Sequence, residues 1–368
     1  MKMVIIEPLG VDEDKLLSMA KEALGDRVEI VYHDTKATGT QELIERGKDA
    51  EIIVVSNLPL NEDVINGCKE LKLLAVAFTG IDHIAMDACR KHGVTVCNCA
   101  GYSTSAVADL VFGMLISLYR NIIPCDRVCR QGGTKDGLVG VELEGRKFGV
   151  VGTGAIGLRV ARIAQAFGCE VLAYSRTVKD VEGIRFVDLK TLLSECDIVS
   201  LHTPLNDGTR GLMNRERIGW MKKDAVLINT ARGPVVDSEA LAEALSEGRI
   251  GGACIDVFEK EPPVEKNHPL FSAPNIIVTP HVAFATKEAL VKRAVIVFDN
   301  VAAYLDGTPK NVMERWGYEN GQETHNIFRT GTGRGIPVYG MLSGQVPGTY
   351  GMGEESVGRG CGDGGPGG

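Results

Sequence analysis

One stretch constrains this chain more than any other: residues 149–176, GVVGTGAIGLRVARIAQAFGCEVLAYSR. The run KFGVV leads into it and reads as a buried parallel strand. A glycine-rich turn follows, with Gly152, Gly154 and Gly157 in G-x-G-x-x-G spacing. Then LRVARIAQAF places apolar residues at helical spacing, Gly168 stands where a C-cap glycine belongs, and EVLAY supplies a second strand. In such a turn the first glycine permits the tight bend and the second lets backbone approach a pyrophosphate. The third lets helix pack close to strand, and phosphates rest on the free N–H groups at the helix start. Strand, helix and strand are all present around the glycines, the context that a bare G-x-G-x-x-G lacks.

The unit therefore reads as Rossmann, and its surroundings agree. Residues 1–100 alternate strand runs (MVIIEP, EIVYH, AEIIVVS, LKLLAVAF, VTVCN) with helical patterns, which predicts a second parallel sheet wrapped by helices. Its loops 56–59 and 78–82 fall just past strand ends, where open α/β sheets bind ligands. The segment 103–122, STSAVADLVFGMLISLYRNI, is apolar on nearly every face, so it is expected as one helix buried all round, in a core or against a second subunit. KEALVKRAVIVFDNVAAYL predicts a long amphipathic helix ending near Gly307. Residues 317–368 are rich in glycine and lose apolar periodicity, the composition of a disordered tail or of a frameshifted reading.

Charge and cysteine content narrow the partners. A net charge of −8 without basic tracts argues against nucleic acid. No apolar run is long enough to span a bilayer, and MKMVIIEPLG reads as a first strand rather than a signal peptide. The ten cysteines lack the paired C-x-x-C spacing of a zinc site, so no metal is expected, and reduced thiols in a cytoplasmic protein are.

Three polar residues follow predicted strands of the second half: Arg232 after VLINT, Glu261 after CIDVF, His281 after IIVT. In a parallel sheet these ends share the edge where the fingerprint places a nicotinamide. A hydride delivered to a carbonyl carbon leaves an alkoxide that needs a proton, and His281 can give it. A carboxylate beside the ring, Glu261, favours the protonated imidazole. The guanidinium fork of Arg232 suits a substrate carboxylate and can polarise the neighbouring carbonyl. A 2-oxo acid reduced to a 2-hydroxy acid satisfies all three.

The motifs VVGTGAIG, LHTPL, INTARGPVVD, ACIDVFEKEPP and TPHVAFAT, in this order, resemble the D-isomer-specific 2-hydroxyacid dehydrogenase family over residues 4–313. The resemblance implies that Arg232, Glu261 and His281 are catalytic. It implies coenzyme contacts from the glycines, Ala155, Ile156, His202, Thr203, Pro204, Thr230 and Ala231, with Asp256 near the carboxamide. Loops around Asn57 and Thr79–Gly80 would hold the substrate carboxylate through backbone N–H groups, together with Arg232.

The implied architecture is a Rossmann cofactor domain (101–284) inserted into a flavodoxin-like substrate domain (1–100, with a return helix in 285–313), and the implied assembly is a homodimer through the apolar helix. Small acids such as glyoxylate or hydroxypyruvate are the expected substrates. A phosphoglycerate dehydrogenase is the alternative, and a dinucleotide-sensing corepressor ranks behind it. Glu261 disfavours formate chemistry. An NAD site carries an acid roughly 20 residues past the fingerprint. Here Ser175, Arg176 and Thr177 stand there instead, which favours NADP over NAD.

Overall fold

The strands that carry the fold are short and almost wholly apolar. Ile52–Val55, Leu73–Val76, Ile198–Leu201 and Val226–Asn229 are buried at every position, as strands covered by helices on both faces must be. The computed structural model describes residues 1–261 and 263–313, with a two-residue antiparallel pair at Tyr318–Glu319 and Gln322–Glu323. That pair falls where a disordered tail is expected, in a stretch without strand periodicity. The rest of the tail expected over 317–368 lies outside the described residues.

Two parallel sheets organise the chain. The first contains β1 (Lys2–Ile5), β2 (Glu29–Tyr32), β3 (Ile52–Val55), β4 (Leu73–Val76) and β5 (Thr95–Cys97), in the order β2-β1-β3-β4-β5. The second contains β6 (Lys147–Val151), β7 (Glu170–Tyr174), β8 (Ile184–Phe186), β9 (Ile198–Leu201), β10 (Val226–Asn229), β11 (Gly252–Ile255) and β12 (Ile276–Val278). Its order is β12-β11-β10-β9-β6-β7-β8. The strand order reverses beside β1 in one sheet and beside β6 in the other, and ligand crevices form outside strand carboxyl ends at such points. Both the flavodoxin-like and the Rossmann expectations are met.

The helix Lys287–Leu305 returns to the first sheet. It lies against the helix Glu13–Leu24 and β4, burying Ala294, Val297, Phe298 and Val301. Beyond it the chain runs back along β5, where Val312 bridges Cys97 antiparallel and the Met313 amide donates to the Val96 carbonyl at 2.8 Å.

The apolar segment 103–122 departs from expectation. It is a helix Thr104–Tyr119, broken at Asn121 (φ 51°) and followed by a second helix Ile122–Arg130 turned by 57°. Within this chain it is not buried all round. Val107, Val111, Met114 and Leu115 are buried, whereas Ser105, Asp109 and Gly113 form an exposed stripe at four-residue spacing. The helix packs on the helix Ala155–Ala166 and on β11 and β12, so one side is left uncovered. No single helix among the described residues is long and apolar enough to cross a membrane. All nine described cysteines are free thiols.

The fingerprint glycines differ in what they tolerate. A Cβ on Gly157 would lie 2.0 Å from the Gly152 carbonyl oxygen, whereas one on Gly154 would meet nothing within 4 Å. Gly157→Ala should therefore cost about 1–3 kcal/mol of stability, visible as a lower Tm. Gly154→Ala should leave Tm unchanged and weaken coenzyme binding. Equal melting of the two variants would contradict this division of labour.

Candidate active site

The His281 ring is placed by a buried carboxylate one strand away. Asp256, just past β11, accepts the Thr279 hydroxyl at 2.5 Å and the amides of Val282 and Ala283 at 2.9 Å each. Its own carbonyl receives the His281 amide at 2.7 Å. Burial pushes the Asp256 carboxyl up from its ordinary value, opposed by these hydrogen bonds and by nearby His281. The turn so formed holds His281 at φ 53°, a left-handed conformation uncommon for a side-chain-bearing residue. Asp256 therefore supports the histidine turn. Its side chain is fully buried at the root of that turn.

Glu261 completes the pair. Its Oε1 lies 2.5 Å from His281 Nδ1, and its Oε2 accepts the Phe258 amide at 3.1 Å. With Nδ1 committed to the carboxylate, Nε2 is the nitrogen left for a substrate. Phe78 and Phe284 meet the ring edge-on, with centroids 5.9 and 5.7 Å away.

Arg232 enters from the end of β10. Asn229 shapes its turn, accepting the Ala231 amide at 3.0 Å and donating to the Arg232 carbonyl at 2.9 Å. Gly233 is required there, because a Cβ would come within 1.9 Å of the Phe258 backbone. Across the cleft, Thr79 and Gly80 follow β4. Their N–H groups have no hydrogen-bond partner among the described residues, and the Thr79 carbonyl is held by Asn98 Nδ2 at 2.8 Å. A Cβ on Gly80 would stand 1.6 Å from Arg232 Nη2, so a guanidinium nitrogen and free backbone donors share one spot. That spot suits a carboxylate.

Asn57 does not join it. The amides of Ser56, Asn57 and Leu58 all donate to Glu7 Oε1, at 2.8, 2.9 and 3.0 Å. The expected substrate contact from this loop is thus corrected: the chain's own buried carboxylate, at the end of β1, already fills the donor nest. The sequence cue was an acid, Glu7, directly after the apolar strand MVII.

Cleft and fingerprint fit a dinucleotide. Gly152 sits at φ 98° with the His202 carbonyl where its Cβ would be, 2.5 Å away. The N–H groups of Ala155, Ile156 and Gly157, at the start of the helix, have no partner among the described residues. The hydroxyls of Thr203 and Thr230 are buried without partners among the described residues. His202 pairs with the Ser200 hydroxyl at 2.9 Å, and burial pushes its ring well below the usual histidine range, so it is neutral. A cavity of about 910 Å³ joins these parts. Gly154, Ala155, Ile156, His202, Thr203, Pro204, Thr230, Ala231, Arg232 and His281 line it, as do Thr79 and Gly80 from the other sheet. Gly152 and Gly157 shape the turn behind it. Ser175, Arg176 and Thr177 lie outside the cavity past the end of β7, beside a loop whose Lys179 Nζ donates to the Thr153 carbonyl at 2.7 Å. Sequence reasoning pointed to the loop 78–82 but not to the aromatic wall of Phe78, Tyr102 and Phe284 or to the side chain of Asp82, because nothing local marks them.

A Rossmann sheet, a histidine–carboxylate pair and an arginine beside free amides define an NAD(P)-dependent oxidoreductase acting on a CH–OH group. The chain belongs to the D-isomer-specific 2-hydroxyacid dehydrogenase family. The profile of that family's NAD-binding domain matches residues 112–283. A glycerate dehydrogenase of Methylorubrum extorquens is 39% identical over 293 residues, covering 77% of this chain and 92% of the relative. A glyoxylate reductase of Thermofilum pendens is 39% identical over 305 residues, covering 79% and 88%. The structure of D-lactate dehydrogenase from Aquifex aeolicus with NAD and lactic acid superposes with a TM-score of 0.72 at 33% identity, covering 84% of this chain and 96% of that one.

His281→Ala should lower kcat by about 10²–10⁴-fold while leaving coenzyme affinity unchanged. Glu261→Gln should lower kcat by a smaller factor, since the ring loses the carboxylate that orients it through Nδ1. Near-normal rates in both variants would place the proton donor elsewhere.

Proposed function

We propose that the protein reduces a small 2-oxo acid of the glyoxylate or hydroxypyruvate type to its D-2-hydroxy acid, using NADPH in preference to NADH. The observation that carries this reading is one cavity shared by His281, Arg232 and the free amides of Thr79 and Gly80. When bound, the nicotinamide supplies the hydride. Arg232 Nη2 and the two amides hold the substrate carboxylate, which turns the adjacent carbonyl toward His281. The ring gives its Nε2 proton to that oxygen, and Glu261 keeps the resulting imidazole oriented through Nδ1. Phe78 and Phe284 wall the ring from water.

The names of the two relatives, glycerate dehydrogenase and glyoxylate reductase, support small substrates. A phosphoglycerate dehydrogenase is the weaker reading. Arg232 is the one lysine or arginine among the described residues lining the cavity, whereas Asp82, Asp87 and Glu62 also line it. A substrate phosphate would add two charges with no second guanidinium or ammonium group among the described lining residues to meet them. A corepressor reading leaves the His281–Glu261 pair without a use.

For the coenzyme, support comes from the end of β7, where Ser175 takes the place of the acid that would repel a 2′-phosphate and Arg176 follows. Homodimerisation would cover the exposed stripe Ser105, Asp109 and Gly113 and the exposed Ile122 and Ile123. Free thiols fit a reducing cytoplasm. Neither nucleic acid nor membrane belongs to this reading.

Two assays test it. A panel of 2-oxo acids followed by coenzyme oxidation should show highest kcat/KM for glyoxylate or hydroxypyruvate, and a preference for phosphohydroxypyruvate would overturn the substrate class. Wild type should favour NADPH over NADH, with the preference reversed in Ser175→Asp combined with Arg176→Ala. A wild type that prefers NADH would sink the coenzyme assignment.

A further inference from the structure

The guanidinium of Arg232 is fixed on three sides, and two of the groups that fix it belong to the other sheet. Arg232 Nε donates to Asp82 Oδ1 at 3.0 Å, and Nη1 donates to the Ala231 carbonyl at 2.7 Å. The Phe78 ring centroid lies 5.8 Å from Cζ. Nη2 has no partner among the described residues and stands beside Gly80. Asp82 lies in the loop after β4 and Arg232 in the loop after β10, so this ion pair spans the cleft.

We infer that Asp82 is a positioning residue for the substrate carboxylate. This rests on the reading of the cavity as the seat of a 2-oxo acid. A guanidinium can take a carboxylate two-pronged, along Nε and Nη2 or end-on across its Nη atoms. By occupying Nε, Asp82 closes the first approach. The end of the fork is left, next to the amides of Thr79 and Gly80, so substrate can be seated in only one place.

The second effect is entropic. An arginine on a free stem samples many directions, and ordering it on binding costs affinity. Here the ordering is completed within the folded protein by Asp82, Ala231 and Phe78. The pair is partly open to solvent, with side chains 19% and 36% exposed, so its worth to stability is small and its worth is orientation. Because the two residues come from different sheets, the seat exists only when the lobes stand as they do here. Nothing in the spacing of TGIDHI and TARGP reveals that they meet.

The test uses steady-state kinetics at saturating coenzyme, with the 2-oxo acid that wild type reduces best. Asp82→Leu should raise KM for that acid by about tenfold or more. Its kcat should change far less, and its coenzyme Kd and Tm should not change. Asp82→Asn keeps the Oδ1 acceptor and should stay within a few-fold of wild type. In an Arg232→Ala background, Asp82→Leu should cost nothing further, because its effect runs through the guanidinium. An unchanged KM in Asp82→Leu would overturn the inference, as would equal damage from Asn and Leu or an undiminished loss in the Arg232→Ala background. A wild type that reduces no 2-oxo acid would overturn the functional reading itself, and this inference with it.

Discussion

The carboxylate of Asp256 is buried past the end of β11, receives a hydroxyl and two amides from the turn after β12, and has its carbonyl bonded to the His281 amide. Leaving such buried donors unpaired would cost about 1–3 kcal/mol each, enough to hold His281 in a left-handed conformation that its side chain disfavours. With the backbone fixed, Glu261 needs only to orient a ring already in place. The chemistry of the cleft therefore begins with a buried hydrogen-bonding arrangement behind the histidine ring.

The other half of the site is fixed by what is missing from side chains. Gly233 lets the Arg232 loop pass against the Phe258 backbone, and Gly80 leaves the space that the guanidinium enters. Because each sheet presents its strand carboxyl ends to the same cavity, one sheet supplies acid and arginine while the other supplies bare amides. Glu7 does for the first sheet what Asp256 does for the second: it absorbs the amides of a strand-end loop and stiffens it. The donors left without partners among the described residues, at Thr79 and Gly80 and at Ala155 to Gly157, are the ones the proposed function assigns to substrate and coenzyme phosphates.

Much of this was legible in the sequence, for local reasons. The glycine fingerprint, the apolar strands and the polar residues directly after them follow from backbone geometry within a few positions, so Arg232, Glu261, His281 and both sheets could be read directly. Four features could not. The capture of the 56–58 amides by Glu7 joins residues some 50 positions apart, and the Asp82–Arg232 pair joins residues 150 apart. The turn at Asn121 hides in a run whose hydrophobicity alone suggested one continuous helix, because a single left-handed residue leaves no periodic trace. Asp256 is the fourth: its bonds to Thr279, Val282 and Ala283 reach more than 20 residues along the chain, and no local pattern marks them.

In the proposed reaction, substrate carboxylate and reacting carbonyl are held between the Gly80 amide, Arg232 and His281. A crystal structure with NADPH and oxamate, an unreactive 2-oxo acid analogue, tests it most directly. The account predicts the oxamate carboxylate within hydrogen-bonding distance of Gly80 N and Arg232 Nη2, with its amide oxygen facing His281 Nε2. Oxamate bound at the 56–58 amides with Glu7 displaced, or bound out of reach of His281, would contradict it.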